Sequence, residues 1–111
     1  MHIGSDIIEI DRFRNKPIKK NNSFYSKLFS QREMECCLKY SDPYPHLAGI
    51  FACKEAIKKC TNRNLTFRDI EIVRLSGKKP VASIKNEIIS SSSVTISHTN
   101  SLAFAVAGMI L

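Results

Sequence analysis

The chain has 111 residues, of which 43% are hydrophobic and 24% charged, and its formal net charge is +7 at pH 7. This length and composition predict one globular domain over residues 1–111. The longest apolar run has ten residues, whereas a membrane-spanning helix needs about 20, and charged residues interrupt the N-terminus where a signal peptide would be apolar. We therefore expect a cytoplasmic protein without a membrane span, and the charge favours an acidic partner such as nucleic acid, an anionic cofactor or an acidic protein.

The N-terminal half is predicted to contain one strand followed by helices. The opening "MHIGSDIIEI" is rich in β-branched residues and predicts a strand through about Ile7. A helical or irregular stretch broken by Pro17 follows. Ser30 stands three residues before Glu33, which is the spacing of a capping box, so we expect a helix over residues 31–40 that "SDPYP" brings to an end.

The next predicted helix, residues 46–60, is apolar around most of its circumference, so it should be packed on several sides. Two narrow charged stripes remain, one with Lys54 and Lys58 and the other with Glu55 and Lys59. A Glu–Lys pair with this spacing stabilises a helix by about 0.2–0.5 kcal/mol, which is the simpler interpretation of Glu55. The functional interpretation is a ligand for a hard metal ion such as Mg²⁺.

The second half of the chain is predicted to be β structure. Residues 66–74 alternate in polarity, "LSGKKP" is a turn, "VASI" is a short strand, and "VTISHT" and "LAFAVAGMI" are two further strands. The last strand is apolar on both faces and should be central or covered. Its alanine face permits close approach, for example by a neighbouring subunit. The two faces carry Ala103, Ala105 and Ala107 on one side and Leu102, Phe104 and Val106 on the other.

The cysteines and histidines do not have the spacing of a disulfide framework or a zinc site. Two cysteines are adjacent in sequence and cannot easily close a relaxed disulfide, and no C-x-x-C pair is present. We interpret the cysteines as free, mostly buried thiols. The residues concerned are Cys36, Cys37, Cys53, Cys60, His2, His46 and His98.

Several polar residues are candidates for binding a metal or a phosphate, although each also has a structural explanation. Asp6 would supply a second hard-metal ligand beside Glu55, or it is a turn or helix-capping aspartate. The turn with Gly77 and Lys79 would grip a phosphate, or it is an exposed hairpin tip. The adjacent Ser97 and His98 are not sufficient evidence for a nucleophile and its base. The basic residues near Arg12 form either a solvated face or a docking site for an acidic protein.

In this order and at these separations, the motifs resemble the holo-acyl-carrier-protein synthases, the small single-domain members of the 4′-phosphopantetheinyl transferase superfamily. The motifs are "IGSDIIEIDR", "FSQRE", "LAGIFACKEAIKK" and "ISHT", and the resemblance extends over nearly the whole chain. It implies an α+β fold in which an antiparallel sheet packs with helices, assembled as a homotrimer with active sites at subunit interfaces. It also implies a Mg²⁺-dependent transfer of 4′-phosphopantetheine from coenzyme A to a serine of apo acyl carrier protein in fatty acid biosynthesis, which releases adenosine 3′,5′-bisphosphate.

The resemblance further implies a role for individual residues. Asp6 and Glu55 match the metal-binding carboxylates and, with Lys59, the catalytic set. The contacts with coenzyme A are expected from Lys54, Lys59, Gly77, Lys79, Ser97 and His98, and the contacts with the carrier protein from Arg12 and Arg14.

The sequence departs from the family pattern near the expected nucleotide contacts. Ile50 stands where the family usually has an arginine, Cys53 where it has an alanine, and "TNRN" where a glycine-rich stretch is common. Two alternatives come from other classes: a small basic RNA-binding protein, and an inactive homologue that binds the carrier protein. The first would need aromatic residues interleaved with basic ones on a sheet face, a pattern that is absent from this sequence, so we expect no nucleic acid partner. The second is disfavoured because Asp6, Glu55 and Lys59 are all retained.

Overall fold

In the computed structural model, which describes residues 1–74 and 79–110, one long helix lies across a three-stranded antiparallel sheet. A second three-stranded sheet and three short helices pack around this pair. The strands are β1 (His2–Glu9), β2 (Ile70–Arg74), β3 (Pro80–Ile84), β4 (Glu87–Ile88), β5 (Ser93–His98) and β6 (Leu102–Met109). The helices are α1 (Asp11–Arg14), α2 (Asn22–Leu28), α3 (Gln31–Cys37) and α4 (Tyr44–Cys60), with 3₁₀ turns at Ile18–Lys20 and Phe67–Asp69.

The helix boundaries follow local signals in the sequence. The predicted capping box of α3 is confirmed, because the Ser30 side chain accepts from the Glu33 backbone and the Glu33 side chain accepts from the Ser30 backbone. Helix α3 ends at Cys37, earlier than predicted. Helix α4 begins at Tyr44, two residues before the predicted start, and a proline in its first turn is compatible with that position. No helix in the described part of the chain is long and apolar enough to cross a bilayer.

The first sheet has the strand order β1-β6-β5, and its inner face is made of small residues. Gly4 is paired with Ala107, and a Cβ at Gly4 would lie 2.0 Å from the carbonyl oxygen of Ala56 in α4. Glycine is therefore required at this position, because any side chain would push β1 away from the helix. The alanines of β6 face α4 and are fully buried, so the close approach predicted for this face is made by the chain's own helix and not by a neighbouring subunit.

The outer face of the same sheet is apolar and accessible. Leu102 and Phe104 of β6 are 37% and 41% exposed, and Ile3 and Ile7 of the neighbouring strand are 68% and 59% exposed. The prediction that β6 is central is confirmed, because it lies between β1 and β5. This outer surface has the composition of a protein interface more than that of a solvated sheet face.

The second sheet, β2-β3-β4, supports α3 from the side. Lys85 and Asn86 connect β3 to β4 with positive φ angles of 49° and 69°, which is typical of a two-residue hairpin turn. The predicted "LSGKKP" turn, with Gly77 and Lys78, lies outside the described residues except for Lys79 and Pro80.

Candidate active site

One cluster of polar side chains forms where β1 meets the C-terminal half of α4. Asp6 is two residues from each of the buried residues Gly4 and Ile8, so the three side-chain positions share one face of β1. This is the face that α4 covers. The Lys59 ammonium donates a hydrogen bond to the Ser5 backbone carbonyl at 2.8 Å and lies 3.4 Å from the Asp6 carboxylate. The fold thus brings together an aspartate and a lysine that are far apart in sequence.

Glu55 belongs to the same cluster, since it lies one helical turn before Lys59 on α4. Its ion-pair partner is not Lys59, as the helix spacing suggested, but Lys58, at 3.9 Å. Lys59 is turned towards β1 by its bonds to Ser5 and Asp6. The side chains of Asp6 and Glu55 are 20% and 31% exposed, so both carboxylates remain accessible to a ligand.

The chemistry of these donors fits a magnesium ion that is bound together with a phosphate substrate. The cluster supplies carboxylate oxygens, which are the ligands that Mg²⁺ prefers. Within residues 1–74 and 79–110, no group of three His, Cys, Asp or Glu side chains is arranged to hold a metal. Mg²⁺ in proteins is usually held by one or two carboxylates, with substrate phosphates and waters completing the coordination. One aspartate and one glutamate have the number and type of carboxylates that such a site needs, and the Lys59 ammonium lies 3.4 Å from the first of them.

Lys54 is predicted to contact coenzyme A, but the structure places it in the core. Its side chain is 0% exposed, and its ammonium donates to the Leu28 carbonyl, the Glu33 carboxylate and the Phe67 carbonyl at 2.8, 2.6 and 3.2 Å. Burial lowers the pKa of Lys54, and the charge of Glu33 opposes that shift. A lysine has three donors, so none is left for an external phosphate, and the role of Lys54 is structural.

Glu33 completes this buried arrangement. Its carboxylate accepts hydrogen bonds from the backbone N–H groups of Ser30 and Ile72, each at 2.8 Å, in addition to the Lys54 ammonium. These bonds join α3, α4 and β2 at one point. The sequence predicts Glu33 as a capping residue, and this additional role depends on contacts that only the tertiary fold creates.

A second polar region surrounds His98, at the end of β5. Here a cavity of about 410 Å³ is lined by cationic groups of several elements and by apolar residues. The rings of Tyr40 and His46 stack with their centroids 3.5 Å apart, and His98 approaches His46 edge-on at 5.6 Å. Burial, with a smaller effect from His98, holds the pKa of His46 below its usual value. The lining residues with basic or aromatic side chains are Arg32, Lys39, Tyr40, His46, Arg74 and His98, and Ile50 lies among them.

The two regions do not meet within one chain. Helix α4 crosses the sheet so that Gly49 lies over Ile96 of β5 and Ala56 lies over Gly4 of β1. His98 is therefore near the N-terminal end of α4, whereas Asp6 and Lys59 meet near its C-terminal end. The cavity beside His98 does not include the Asp6 cluster.

Two of the remaining predicted ligand contacts, Ser97 and Lys79, are exposed. Ser97 pairs with Phe104, and neighbouring residues of a strand point to opposite faces, so Ser97 and His98 cannot act as a nucleophile and its base. Lys79 is exposed immediately before β3, and Gly77 lies outside the described residues.

The two arginines of α1 have different surroundings. Arg14 forms a bidentate pair with Asp42, at 3.1 and 2.7 Å, and the bond lowers the pKa of the Asp42 carboxyl. Arg12 lies over the ring of Phe51, 5.0 Å from its centroid, and has no carboxylate partner among the described residues. The Arg14 charge is therefore largely compensated inside the chain, while the Arg12 charge is available to a partner.

Sequence reasoning did not identify the residues that surround His98 or the position of Lys58. Tyr40, His46 and Arg74 come from three separate segments, and no spacing along the chain links them. The sequence indicates only that Lys58 belongs to a charged helical stripe. The sequence points to the region around His98 only through His98 itself, in the "ISHT" motif, and through the departure at Ile50.

Comparisons with known proteins agree over nearly the whole chain. The family model described as "4'-phosphopantetheinyl transferase superfamily" matches residues 2–107. A holo-[acyl-carrier-protein] synthase of Chlamydia caviae is 37% identical over 115 residues, which cover 96% of this chain and 93% of the relative. One of Caldanaerobacter subterraneus is 33% identical over 116 residues, covering 95% and 91%.

Solved structures give the same result for the fold. A crystal structure of Helicobacter pylori holo-[acyl-carrier-protein] synthase in complex with coenzyme A matches with a TM-score of 0.81 and 28% identity, covering 97% of this chain and 99% of that one. A Bacillus anthracis structure, also in complex with CoA (3',5'-ADP), matches with a TM-score of 0.77 and 25% identity, covering 96% and 92%.

Proposed function

The chain belongs to the 4′-phosphopantetheinyl transferase superfamily, and we infer from its relatives that it is a holo-acyl-carrier-protein synthase. It transfers 4′-phosphopantetheine from coenzyme A to a serine of apo acyl carrier protein and releases adenosine 3′,5′-bisphosphate. Solved relatives that contain coenzyme A support this substrate. We place the reaction in the cytoplasm as part of the proposal, in fatty acid biosynthesis. The RNA-binding alternative is not retained.

The assignment of functional residues is based on the cluster of Asp6, Glu55 and Lys59. We assign Asp6 and Glu55 as the residues that would hold Mg²⁺ and Lys59 as the ammonium that binds the diphosphate of coenzyme A. When bound, the metal ion supplies positive charge that polarises the phosphoryl group under attack. Phosphoryl transfer depends mainly on positioning and charge stabilisation, and both are available from a cluster that β1 and α4 fix in place.

In the reaction, the serine oxygen of the carrier forms a bond to the phosphorus next to the pantetheine, and the bond from that phosphorus to the bridging oxygen breaks. The electron pair stays with adenosine 3′,5′-bisphosphate, and the serine proton is released to solvent. Negative charge therefore grows on oxygens of the leaving group. Lys59, held 3.4 Å from Asp6, is positioned to stabilise that charge.

We propose that the complete site forms between subunits of a homotrimer. The exposed apolar surface of Ile3, Ile7, Leu102 and Phe104 supports an interface on the outer face of the first sheet. The separation of the His98 region from the Asp6 cluster supports the same conclusion. The nucleotide end of coenzyme A would then lie near His98 of one subunit, and its diphosphate near the cluster of another. Gly77, Lys79 and Ser97 remain proposed contacts of that nucleotide end.

The carrier protein is proposed to dock against the basic N-terminal region. Arg12 is the better supported of the two predicted contacts, because an aromatic ring fixes its position without neutralising its charge. Arg14 is engaged by Asp42, and a contact with the carrier would require it to exchange that partner. Carrier proteins of this class are acidic, so the net charge of +7 would also speed their association.

The deciding experiment is to incubate the protein with apo acyl carrier protein, coenzyme A and MgCl₂ and to weigh the carrier by mass spectrometry. We expect a mass gain of one phosphopantetheine arm, which EDTA and Glu55→Ala each abolish. Glu35→Ala is the matched control, because Glu35 is an exposed glutamate of α3 that is far from the cluster in the fold. A folded protein that gives no gain with several apo carriers would refute the enzymatic function, and carrier binding without turnover would favour the inactive-homologue alternative.

A further inference from the structure

Lys58 and Lys59 lie on opposite sides of Glu55 on α4. Its ammonium lies 3.9 Å from the Glu55 carboxylate and 4.3 Å from the centroid of the Phe67 ring. Its side chain is 34% exposed. The ring supports the lysine by a cation–π contact, which fixes the position of a charge without neutralising it.

The donors of Lys58 are free, in contrast to those of the other two lysines of α4. Lys54 uses all three of its donors in the core, and Lys59 bonds to the Ser5 carbonyl and Asp6. The distance from Lys58 to Glu55 is longer than a hydrogen bond, and Lys58 donates none within residues 1–74 and 79–110. An ammonium that is fixed in place with unused donors is suited to bind an oxyanion.

The charges of the cluster balance only when Lys58 is counted. Asp6 and Glu55 carry two negative charges, and Lys58 and Lys59 carry two positive charges. A divalent cation and the two charges of a diphosphate diester also cancel, so the cluster is neutral before and after both bind. Without Lys58, the cluster would be left with one excess negative charge. That excess would attract the metal ion and repel the diphosphate.

We propose that Lys58 is a second diphosphate-binding ammonium, which raises the affinity of this chain for coenzyme A relative to its affinity for the metal ion. The proposal rests on the function inferred above and extends it to a residue outside the Asp6–Glu55–Lys59 set. It predicts that removing the Lys58 charge weakens the binding of coenzyme A without weakening the binding of Mg²⁺, whereas a merely structural lysine would affect neither selectively.

The test compares Lys58→Met, which keeps the aliphatic stem against Phe67, with Lys58→Arg, which keeps the charge. Lys27→Met is the control, because Lys27 is an exposed lysine of α2. Isothermal titration calorimetry with coenzyme A at saturating MgCl₂ gives Kd, and steady-state assays give KM for each substrate and the Mg²⁺ concentration for half-maximal rate. Circular dichroism establishes that each variant is folded.

We expect Lys58→Met to raise Kd and KM for coenzyme A by about fivefold, the upper range for a contact of a partly exposed charge. The KM for the carrier should not change, the Mg²⁺ requirement should fall or stay constant, and Lys58→Arg should restore coenzyme A binding. An unchanged Kd for Lys58→Met would overturn the proposal, and so would a selective rise in the carrier KM, which would make Lys58 a docking residue. Calorimetry measures the Kd for coenzyme A without turnover, so a wild-type protein that binds coenzyme A but does not modify the carrier would refute the proposed function alone.

Discussion

Replacing Lys54 by methionine tests whether the buried ion pair with Glu33 stabilises the fold. The two side chains are 0% and 1% exposed, and the ammonium and carboxylate are 2.6 Å apart. In Lys54→Met the Glu33 charge stays buried with only two backbone donors, and the Leu28 and Phe67 carbonyls lose their partner. Removing one member of a buried pair costs about 3–5 kcal/mol, which is a large part of the 5–15 kcal/mol typical of a whole domain.

The measurement is urea-induced unfolding followed by circular dichroism, at one fixed protein concentration because an oligomer gains stability by mass action. Lys27→Met, at an exposed position, is expected to change the free energy of unfolding by less than about 0.5 kcal/mol. The double variant Lys54→Met/Glu33→Gln should be more stable than Lys54→Met alone, because the amide removes the buried charge and still accepts a hydrogen bond.

Two results would refute this reasoning. One is a loss below about 1 kcal/mol for Lys54→Met, which would mean that the pair contributes little net stability. The other is a double variant no more stable than the single one, since the cost would then not come from an uncompensated charge. At a temperature where Lys54→Met is folded, its KM for coenzyme A should equal that of the wild type, because Lys54 has no donor left for a ligand.

Three further predictions concern the interface, the cavity and the response to pH. Phe104→Asp should lower the oligomeric state measured by light scattering, whereas Ile88→Asp, at an exposed apolar residue of the other sheet, should not. If Phe104→Asp has the same oligomeric state as the wild type, the proposed interface on the first sheet is wrong. Arg74→Ala should raise KM for coenzyme A more than KM for dephospho-coenzyme A, because Arg74 lines the cavity beside His98, and an equal effect on both would show that it does not bind the 3′-phosphate. Burial lowers the pKa of His46 in the folded chain, so its contribution to stability is present above pH 6.5 and is lost as the pH falls towards the lower folded pKa. In thermal melts from pH 5 to 7.5, the melting temperature of His46→Gln should fall less with decreasing pH than that of the wild type. An identical pH dependence would show that His46 does not make this contribution.

The sequence predicts most of the elements because their signals are local. The capping box at Ser30 and Glu33 gives the start of α3, and the two-faced apolar run at the C-terminus gives a central strand. The order of the motifs also identifies the family. These signals depend on residues a few positions apart, whose geometry the backbone alone determines.

The partners of the charged residues could not be predicted in the same way. Lys54 and Lys59 both appear as stripe residues of a helix, yet one is buried against Glu33 and the other reaches β1. The difference depends on which side of α4 each element covers, and that is decided by contacts such as the one between Gly4 and Ala56. The cavity beside His98 likewise combines residues whose proximity depends on the whole fold.

The contact between β1 and α4 at Gly4 has a thermodynamic consequence. Lys59 of α4 reaches Ser5 and Asp6 of β1 only when that contact has formed, so the unfolded chain does not contain this arrangement. A ligand that bridges the two elements therefore binds the native state alone, and its binding free energy adds to the free energy of unfolding. At a concentration 100 times its Kd, such a ligand would add about 2.7 kcal/mol. The melting temperature of this small domain should accordingly depend on the supply of its own substrate.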